Sequence, residues 1–174
     1  KKDVLKELPE TTEINIPLEF IGNQKLHYES IWEDRKKLAK RGGSYFSALN
    51  SLREACDLFE NESVKVEKAV DLIKNIEELN EKVLVFSFYK PIVNLLIARL
   101  EKENINFDEY ISKQDTDSRN QSLDNFKENE SVTALVASAR IASEGLTLTE
   151  ANHVIFLNRW WTPSTNSQAR DRVV

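Results

Sequence analysis

From about residue 63 onward, short unbroken apolar runs alternate with stretches whose apolar residues recur every three or four positions. This alternation constrains the fold more than any other feature of the chain. Val83-Leu84-Val85-Phe86, Val132 to Val136 and Val154-Ile155-Phe156-Leu157 are runs of the first kind, and Phe107 to Ile111 is read as a further strand. A strand that is apolar on both sides must be covered on both faces, which is the situation of a parallel sheet. The intervening stretches have helical spacing. Val66, Ala69, Val70, Ile73 and Ile76 share one face, and Pro91 opens a helix carrying Ile92, Leu95, Leu96 and Leu100, with Asn104 as its stop. Asp115 or Asp117 caps a helix bearing Leu123 and Phe126, a short turn or helix ends near Gly145, and Thr162-Pro163 starts a last helix. Strand and helix in alternation predict an α/β fold, a parallel sheet with helices on both faces and right-handed crossovers.

The first 62 residues have a different pattern. Ile14, Ile16, Leu18 and Phe20 alternate with polar positions, which predicts a half-buried strand, and Pro17 places it at a sheet edge. Asn23 is placed to cap a helix running to about Arg41, with Leu26, Ile31 and Leu38 among its apolar residues, and Gly42-Gly43-Ser44 breaks it. A second helix is expected to turn Phe46, Leu49, Leu52 and Cys56 towards one face, before a loop at Asn61-Glu62-Ser63. The expected organisation is an N-terminal strand and helical extension over 1–62 and an α/β core over 63–174.

Composition narrows the class of protein. With 174 residues, 40% apolar and 30% charged, the chain is long enough for one domain with a real core. No run approaches the ~18 apolar residues of a membrane helix, and no N-terminal segment has the pattern of a signal peptide. The single cysteine, Cys56, precludes an internal disulfide and disfavours a four-ligand zinc site, and a reducing, cytosolic setting fits. The net charge of −5 is unevenly spread: from Thr133 to Val174 four arginines face three acidic residues, so the acidity lies in the rest of the chain. Phosphate contacts are local, so an acidic total is compatible with a narrow nucleic-acid face.

Several chemistries have no residues to carry them. There is no G-x-x-x-x-G-K-[ST] loop to hold nucleotide phosphates and no G-x-G-x-x-G dinucleotide fingerprint. His27 and His153 have no companions at ligand spacing, and Cys56 on an apolar helix face is a core thiol rather than a nucleophile. Asp115 and Asp117 are better explained as turn and cap residues than as Mg²⁺ ligands. What remains is one edge of the sheet. In open α/β folds ligands gather at the carboxyl ends of strands. Those ends carry Ser87, the stretch Ser138 to Gly145, and Asn158-Arg159-Trp160-Trp161, followed by a helix with Gln168, Arg170 and Arg172. Small residues permit close backbone approach, arginine matches phosphate, and tryptophan stacks on bases. Ordinary polar loops would show the same residue types, so this edge is a candidate site on chemistry alone.

The motifs carry a resemblance. Ser138 to Thr149, S-A-R-I-A-S-E-G-L-T-L-T, is similar to motif V of the Swi/Snf family of helicase-like, DNA-dependent ATPases, with Ser138, Arg140, Gly145, Leu148 and Thr149 in matching places. Trp161-Thr162-Pro163 resembles the W-N-P that follows it, and Gln168-Ala169-x-x-Arg172 looks like the start of motif VI. Val83 to Ser87 resembles motif IV, with Arg119, Leu123 and Phe126 on the helix after it. Leu8-Pro9, Gln24, Tyr28 and Leu52-Arg53-x-x-Cys56 fall in the family's order upstream. Departures are Ala142 and Ser143 for two glycines, Thr147 for an asparagine, Phe88 for a common glutamine and Ser112 for a glycine.

The resemblance implies the second RecA-like lobe of a two-lobed motor, a nucleotide-binding fold without a P-loop, ending inside motif VI. It implies ATP with Mg²⁺, bound mainly by a first lobe of the same protein, and double-stranded DNA as partner. Gly145, Gln168 and Arg172 would face ATP, with Gln168 and Arg172 in the catalytic network. Ser87, Ser138, Arg140 and Trp161 would face DNA. No metal ligand and no membrane contact is implied, a protein cargo is left open by the sequence, and the cytosol, or the nucleus of a eukaryote, is the expected location. Two alternatives stay open on the sequence: the lobe of a strand-separating helicase, and a degenerate, non-catalytic interaction module.

Overall fold

In the computed structural model, residues 12–20, 22–40, 45–138 and 148–159 are described. The elements run α1 (Gln24–Lys40), α2 (Tyr45–Asp57), α3 (Val64–Glu78), β1 (Val83–Ser87), α4 (Lys90–Lys102), β2 (Phe107–Tyr110), α5 (Thr116–Glu128), β3 (Ala134–Ser138) and β4 (His153–Phe156). The four strands form one parallel sheet in the order β2-β3-β1-β4.

The two central strands are buried on both sides, as their continuous apolar sequences require. Side chains alternate across a strand, so β1 divides its residues between two cores. Val83 and Val85 join Ala134 and Val136 beneath α3 and α4, whose Val66, Ile73, Ile92, Leu96 and Leu100 fill that face. Leu84 and Phe86 join Leu135 and Ala137 on the other face, covered by Phe126 of α5 with Leu148 and Ala151. Helices thus cover both faces, as the alternation predicts.

The helix ends follow local chemistry. Ser63 caps α3 by accepting from the Val66 N–H, and Asp115, not Asp117, caps α5 by accepting from the Ser118 N–H at 2.8 Å. Asn104 ends the α4 region at φ +56°, a left-handed conformation that asparagine tolerates. Lys82 closes the carboxyl end of α5: its ammonium donates to the Phe126 and Asn129 carbonyls and lies 5.1 Å from the Phe126 ring centroid. Burial there pushes the Lys82 ammonium below its usual range.

Four expectations are corrected. Residues 12–20 form no strand, and Ile14 is 74% exposed. Alternation supplies a face but not a partner, and none of β1 to β4 pairs with this segment. The second strand-like run lies two residues later than expected, at Ala134–Ser138 rather than 132–136. The Val132 and Thr133 amides are taken by the Asn129 and Asn106 carbonyls, while Ala137 and Ser138, weak strand formers by type, complete the ladder. The last strand is His153–Phe156 rather than 154–157, although the Leu157 N–H still reaches the Phe86 carbonyl at 3.0 Å. In α2 the buried face is Ala48, Leu52 and Ala55, while Phe46 is 62% exposed, because small residues let α1 and α2 approach. On α1, Leu26 is exposed and Ile31 half-buried. The predicted break at residues 42–44, the turn ending near Gly145 and the helix start at Thr162-Pro163 lie outside the described residues, as does the Leu38 side chain.

Candidate nucleotide and nucleic-acid edge

Parallel register brings the carboxyl ends of the strands to one edge. Ser87 of β1 is the register partner of Ser138 of β3, and Phe86 is that of Phe156 of β4. Two of the candidate residues, Ser87 and Ser138, are therefore neighbours across the ladder although 51 residues separate them in the chain. Ser138 is half-buried at its strand's end. Arg140, Gly145, Trp161, Gln168 and Arg172 lie outside the described residues, which end at Arg159.

Ser87 is not presented to solvent. It is 2% exposed, and its Oγ accepts from the Tyr89 N–H at 3.1 Å. The same Oγ lies 3.3 Å from both the Tyr89 carbonyl and Asn158 Oδ1, either of which can accept its one proton. The hydroxyl is thus spent within the fold, shaping the turn from β1 into α4.

Asn158 is the centre of this edge. It follows β4 closely, is 7% exposed, and its Oδ1 accepts from the Phe88 N–H at 2.9 Å. Its Nδ2 donates to Asp57 Oδ2 at 2.8 Å, across 101 residues of chain. Asp57, the last residue of α2, is 2% exposed; its other oxygen meets Lys65 Nζ at 2.6 Å, and its carbonyl accepts from Ser63 Oγ at 2.5 Å. A buried carboxylate is tolerated only when paired and hydrogen-bonded, and Asp57 has both kinds of partner. One helical turn earlier, Arg53 donates to the Arg159 carbonyl, and Arg159 in turn pairs with Glu13 at 2.7 Å. The sequence shows Asn158 at a strand end and Arg53 in a motif, but nothing in it flags Asp57, whose partners come from the start of α3 and from the exit of β4.

Two nearby acids, Cys56 and Tyr89, are held in their neutral forms more firmly than in water. Burial pushes the Cys56 thiol up, against a lowering by Lys65, and burial with the Glu54 and Asp57 charges pushes the Tyr89 phenol up. Cys56 is accordingly a thiol and not a thiolate nucleophile. His27 packs against Phe59 at 4.6 Å between ring centroids, and His153 pairs with Glu81 at the opposite edge of the sheet. Among the described residues no three or more His, Cys, Asp or Glu side chains are grouped to hold a metal ion. No described helix is long and apolar enough to cross a membrane.

A parallel sheet of order β2-β3-β1-β4, covered on both faces, defines a RecA-like lobe. The chain belongs to the helicase conserved C-terminal domain family, whose model matches residues 64–174, and its fold is similar to that of the C-terminal domain of the Sulfolobus solfataricus SWI2/SNF2 ATPase. The putative ATP-dependent helicase/translocase YwqA of Bacillus subtilis (strain 168) is 32% identical over 193 residues, covering 98% of this chain and 20% of the relative. The Sulfolobus solfataricus SWI2/SNF2 ATPase core domain has the same fold, with a TM-score of 0.79 at 22% identity over 98% of this chain and 39% of that one. The same core in complex with dsDNA gives a TM-score of 0.67 at 26% identity, over 86% and 34%. The chain spans about a tenth to a fifth of the length of the curated relatives it matches.

Proposed function

We propose that this chain is the second motor lobe of an ATP-driven translocase of double-stranded DNA, and that the carboxyl edge of its sheet faces both nucleotide and duplex. The observation that carries this reading is the alignment at that edge. Ser87, Ser138 and Asn158 come together there, and the stretches bearing motif V and motif VI both leave from it. The likeness to a SWI2/SNF2 core whose structure contains dsDNA supports duplex as the partner, and the relative described as a helicase/translocase supports ATP as the fuel.

The roles follow from residue chemistry. Arg172 reaches across the cleft to charge developing on the transferring phosphoryl group, where a preplaced guanidinium acts at little reorganisation cost. Gln168, four residues earlier in the sequence, orients that network. Gly145 lets the motif V backbone approach nucleotide and DNA together. Ser138 and Arg140 contact DNA phosphates and Trp161 packs on the strand, while Ser87 acts through the turn it shapes. Phosphate contacts position a motor without reading sequence, which suits movement along any duplex. The chain has neither a P-loop nor, among its described residues, a carboxylate cluster for Mg²⁺. In this reading a first lobe of the same protein would hold the phosphates and Mg²⁺, and the metal would supply charge neutralisation there.

The test is ATP hydrolysis by the full-length parent with and without duplex DNA. Strong stimulation by duplex is expected, with background turnover from this chain alone. Arg172→Ala in the parent should lower kcat by ~10³-fold or more with the fold retained. Absence of turnover under both conditions overturns the motor reading in favour of a non-catalytic interaction module. Strand separation by the parent would identify an unwinding helicase instead.

A further inference from the structure

We infer that the end of α2 is a positioning element for the motor edge, acting through Asp57 and Arg53 on the chain segment that leaves β4. This deepens the reading of the lobe as part of a DNA-stimulated ATPase and rests on it.

The geometry is specific. Arg53 and Asp57 lie four residues apart, hence on the same side of α2. Asp57 takes the Asn158 side chain and Arg53 the Arg159 carbonyl, so two consecutive residues after β4 are held by one helix face. Asn158 also grips the Phe88 amide and the Ser87 hydroxyl. One side chain therefore sets the exit of β4 relative to the exit of β1. Asn158 and Arg159 are the residues from which the stretch with Trp161, Gln168 and Arg172 continues.

A purely stabilising contact at this place would be served as well by apolar side chains, since a buried ion pair gains little over a packed hydrophobic one. The network has direction instead. Lys65 orients the Asp57 carboxylate, whose second oxygen can then only accept; that requires the amide nitrogen of Asn158 to face it and the amide oxygen to face Phe88. The donor and acceptor ends of Asn158 are thereby fixed. A catalytic arginine misplaced by about 1 Å loses on the order of 10²-fold in rate, so fixing its root is a functional requirement. Asp57, Arg53 and Asn158 are positioning residues in this scheme; none touches nucleotide or DNA.

The test uses the full-length parent. Asn158→Asp puts a second carboxylate against Asp57 Oδ2 and removes the donor, while keeping the acceptor for Phe88. Two carboxylates at that distance repel and do not both stay ionised at normal cost. Duplex-stimulated kcat should fall by about tenfold or more, with the KM for ATP changed less than about threefold. Adding Asp57→Asn returns one amide and one carboxylate to the junction, with donor and acceptor exchanged between them. The double variant should recover kcat to within about threefold of the parent, a non-additivity that independent sites do not show. Wild-type kcat in Asn158→Asp overturns the inference, as does a folded double variant that stays as impaired as the single one. If Asn158→Asp does not fold, Arg53→Ala decides: it buries no new charge, a reduced duplex-stimulated kcat supports the inference, and an unchanged one overturns it. A wild-type parent whose turnover does not respond to duplex is a different result, because it removes the translocase reading itself and this inference with it.

Discussion

The sheet and the N-terminal helices are held by different forces. Val83, Leu84, Val85 and Phe86 of β1 are each at most 1% exposed, and the layers above and below them meet through apolar side chains. The α1–α2 pair joins that core through directed polar contacts: Asp57 to Asn158, Arg53 to the Arg159 carbonyl, and Ser63 to the Asp57 carbonyl, with Leu58 adding apolar packing. Within the pair, the fully buried Gln24 donates to the Ala55 carbonyl at 2.9 Å beside the buried apolar residues Ala48, Leu52 and Ala55. Apolar burial is non-directional and gives stability. Hydrogen bonds are directional and give register. The comparison teaches that this lobe gains its stability in the sheet and its alignment at the junction.

The largest effect should come from the core. Phe86→Ala removes a fully buried ring stacked 5.4 Å from Phe156 and should cost ~3–5 kcal/mol in a urea unfolding curve. A cost below ~1 kcal/mol would break the assignment of stability to the sheet. Next, Ser63→Ala removes the cap of α3 and the donor to the Asp57 carbonyl together, at a fully buried position. It should cost ~1–2 kcal/mol, less than the core change although the site is equally buried. A cost matching that of Phe86→Ala would show that the junction, too, is a principal source of stability.

A third change separates the two capped helices. Ser63 is neutral, whereas Asp115 caps α5 with a charge, and its hydrogen bonds from the Ser118 backbone and side chain hold the carboxyl below its usual range. A carboxylate with a lowered folded-state pKa adds stability above its unfolded pKa and loses it as pH falls through the folded one. The stability difference between wild type and Asp115→Ala should therefore shrink on acidification below the ordinary carboxylate range. The difference between wild type and Ser63→Ala should carry no such term from the serine itself. An Asp115→Ala difference that is constant across that range would remove the charge from the cap.

What was legible in the sequence divides along the same line. The unbroken run at 83–86 and the periodic set Val66, Ala69, Val70, Ile73 and Ile76 were readable because burial acts on every residue of a pattern, and all of them are buried. Strand ends were less readable: Ala137 and Ser138 carry little strand preference, and only pairing with Phe86 and Ser87 makes them β. At the edge, Ser87 and Ser138 could be placed together by parallel register, but the burial of the Ser87 hydroxyl could not. That depends on Asn158, and Asn158 depends on Asp57, two positions joined only by the fold. Local sequence holds periodicity, and it holds no record of which polar group 101 residues away completes a hydrogen bond. The Arg140, Gly145, Trp161, Gln168 and Arg172 assignments rest on motif resemblance together with the edge from which their segments depart.

The smallest effect is expected where pattern and structure part company. Ile14, Ile16 and Leu18 alternate as a strand should, yet all three are exposed and no described strand pairs with them. If residues 12–20 add nothing to the stability of this lobe, Ile14→Ser should leave the unfolding midpoint of the purified chain unchanged to within ~0.5 kcal/mol, the ordinary range for a surface position. The same substitution in the full-length parent, measured in the same way, gives the contrast. A chain in which Ile14→Ser costs more than ~1 kcal/mol would mean that the segment packs on the lobe in solution, and the alternation would then describe a real buried face. A change confined to the parent would instead place the partner of that face outside this lobe. The polar junction would then be joined by an apolar one, and the division between stability and alignment would have to be drawn across the full-length protein rather than within this lobe.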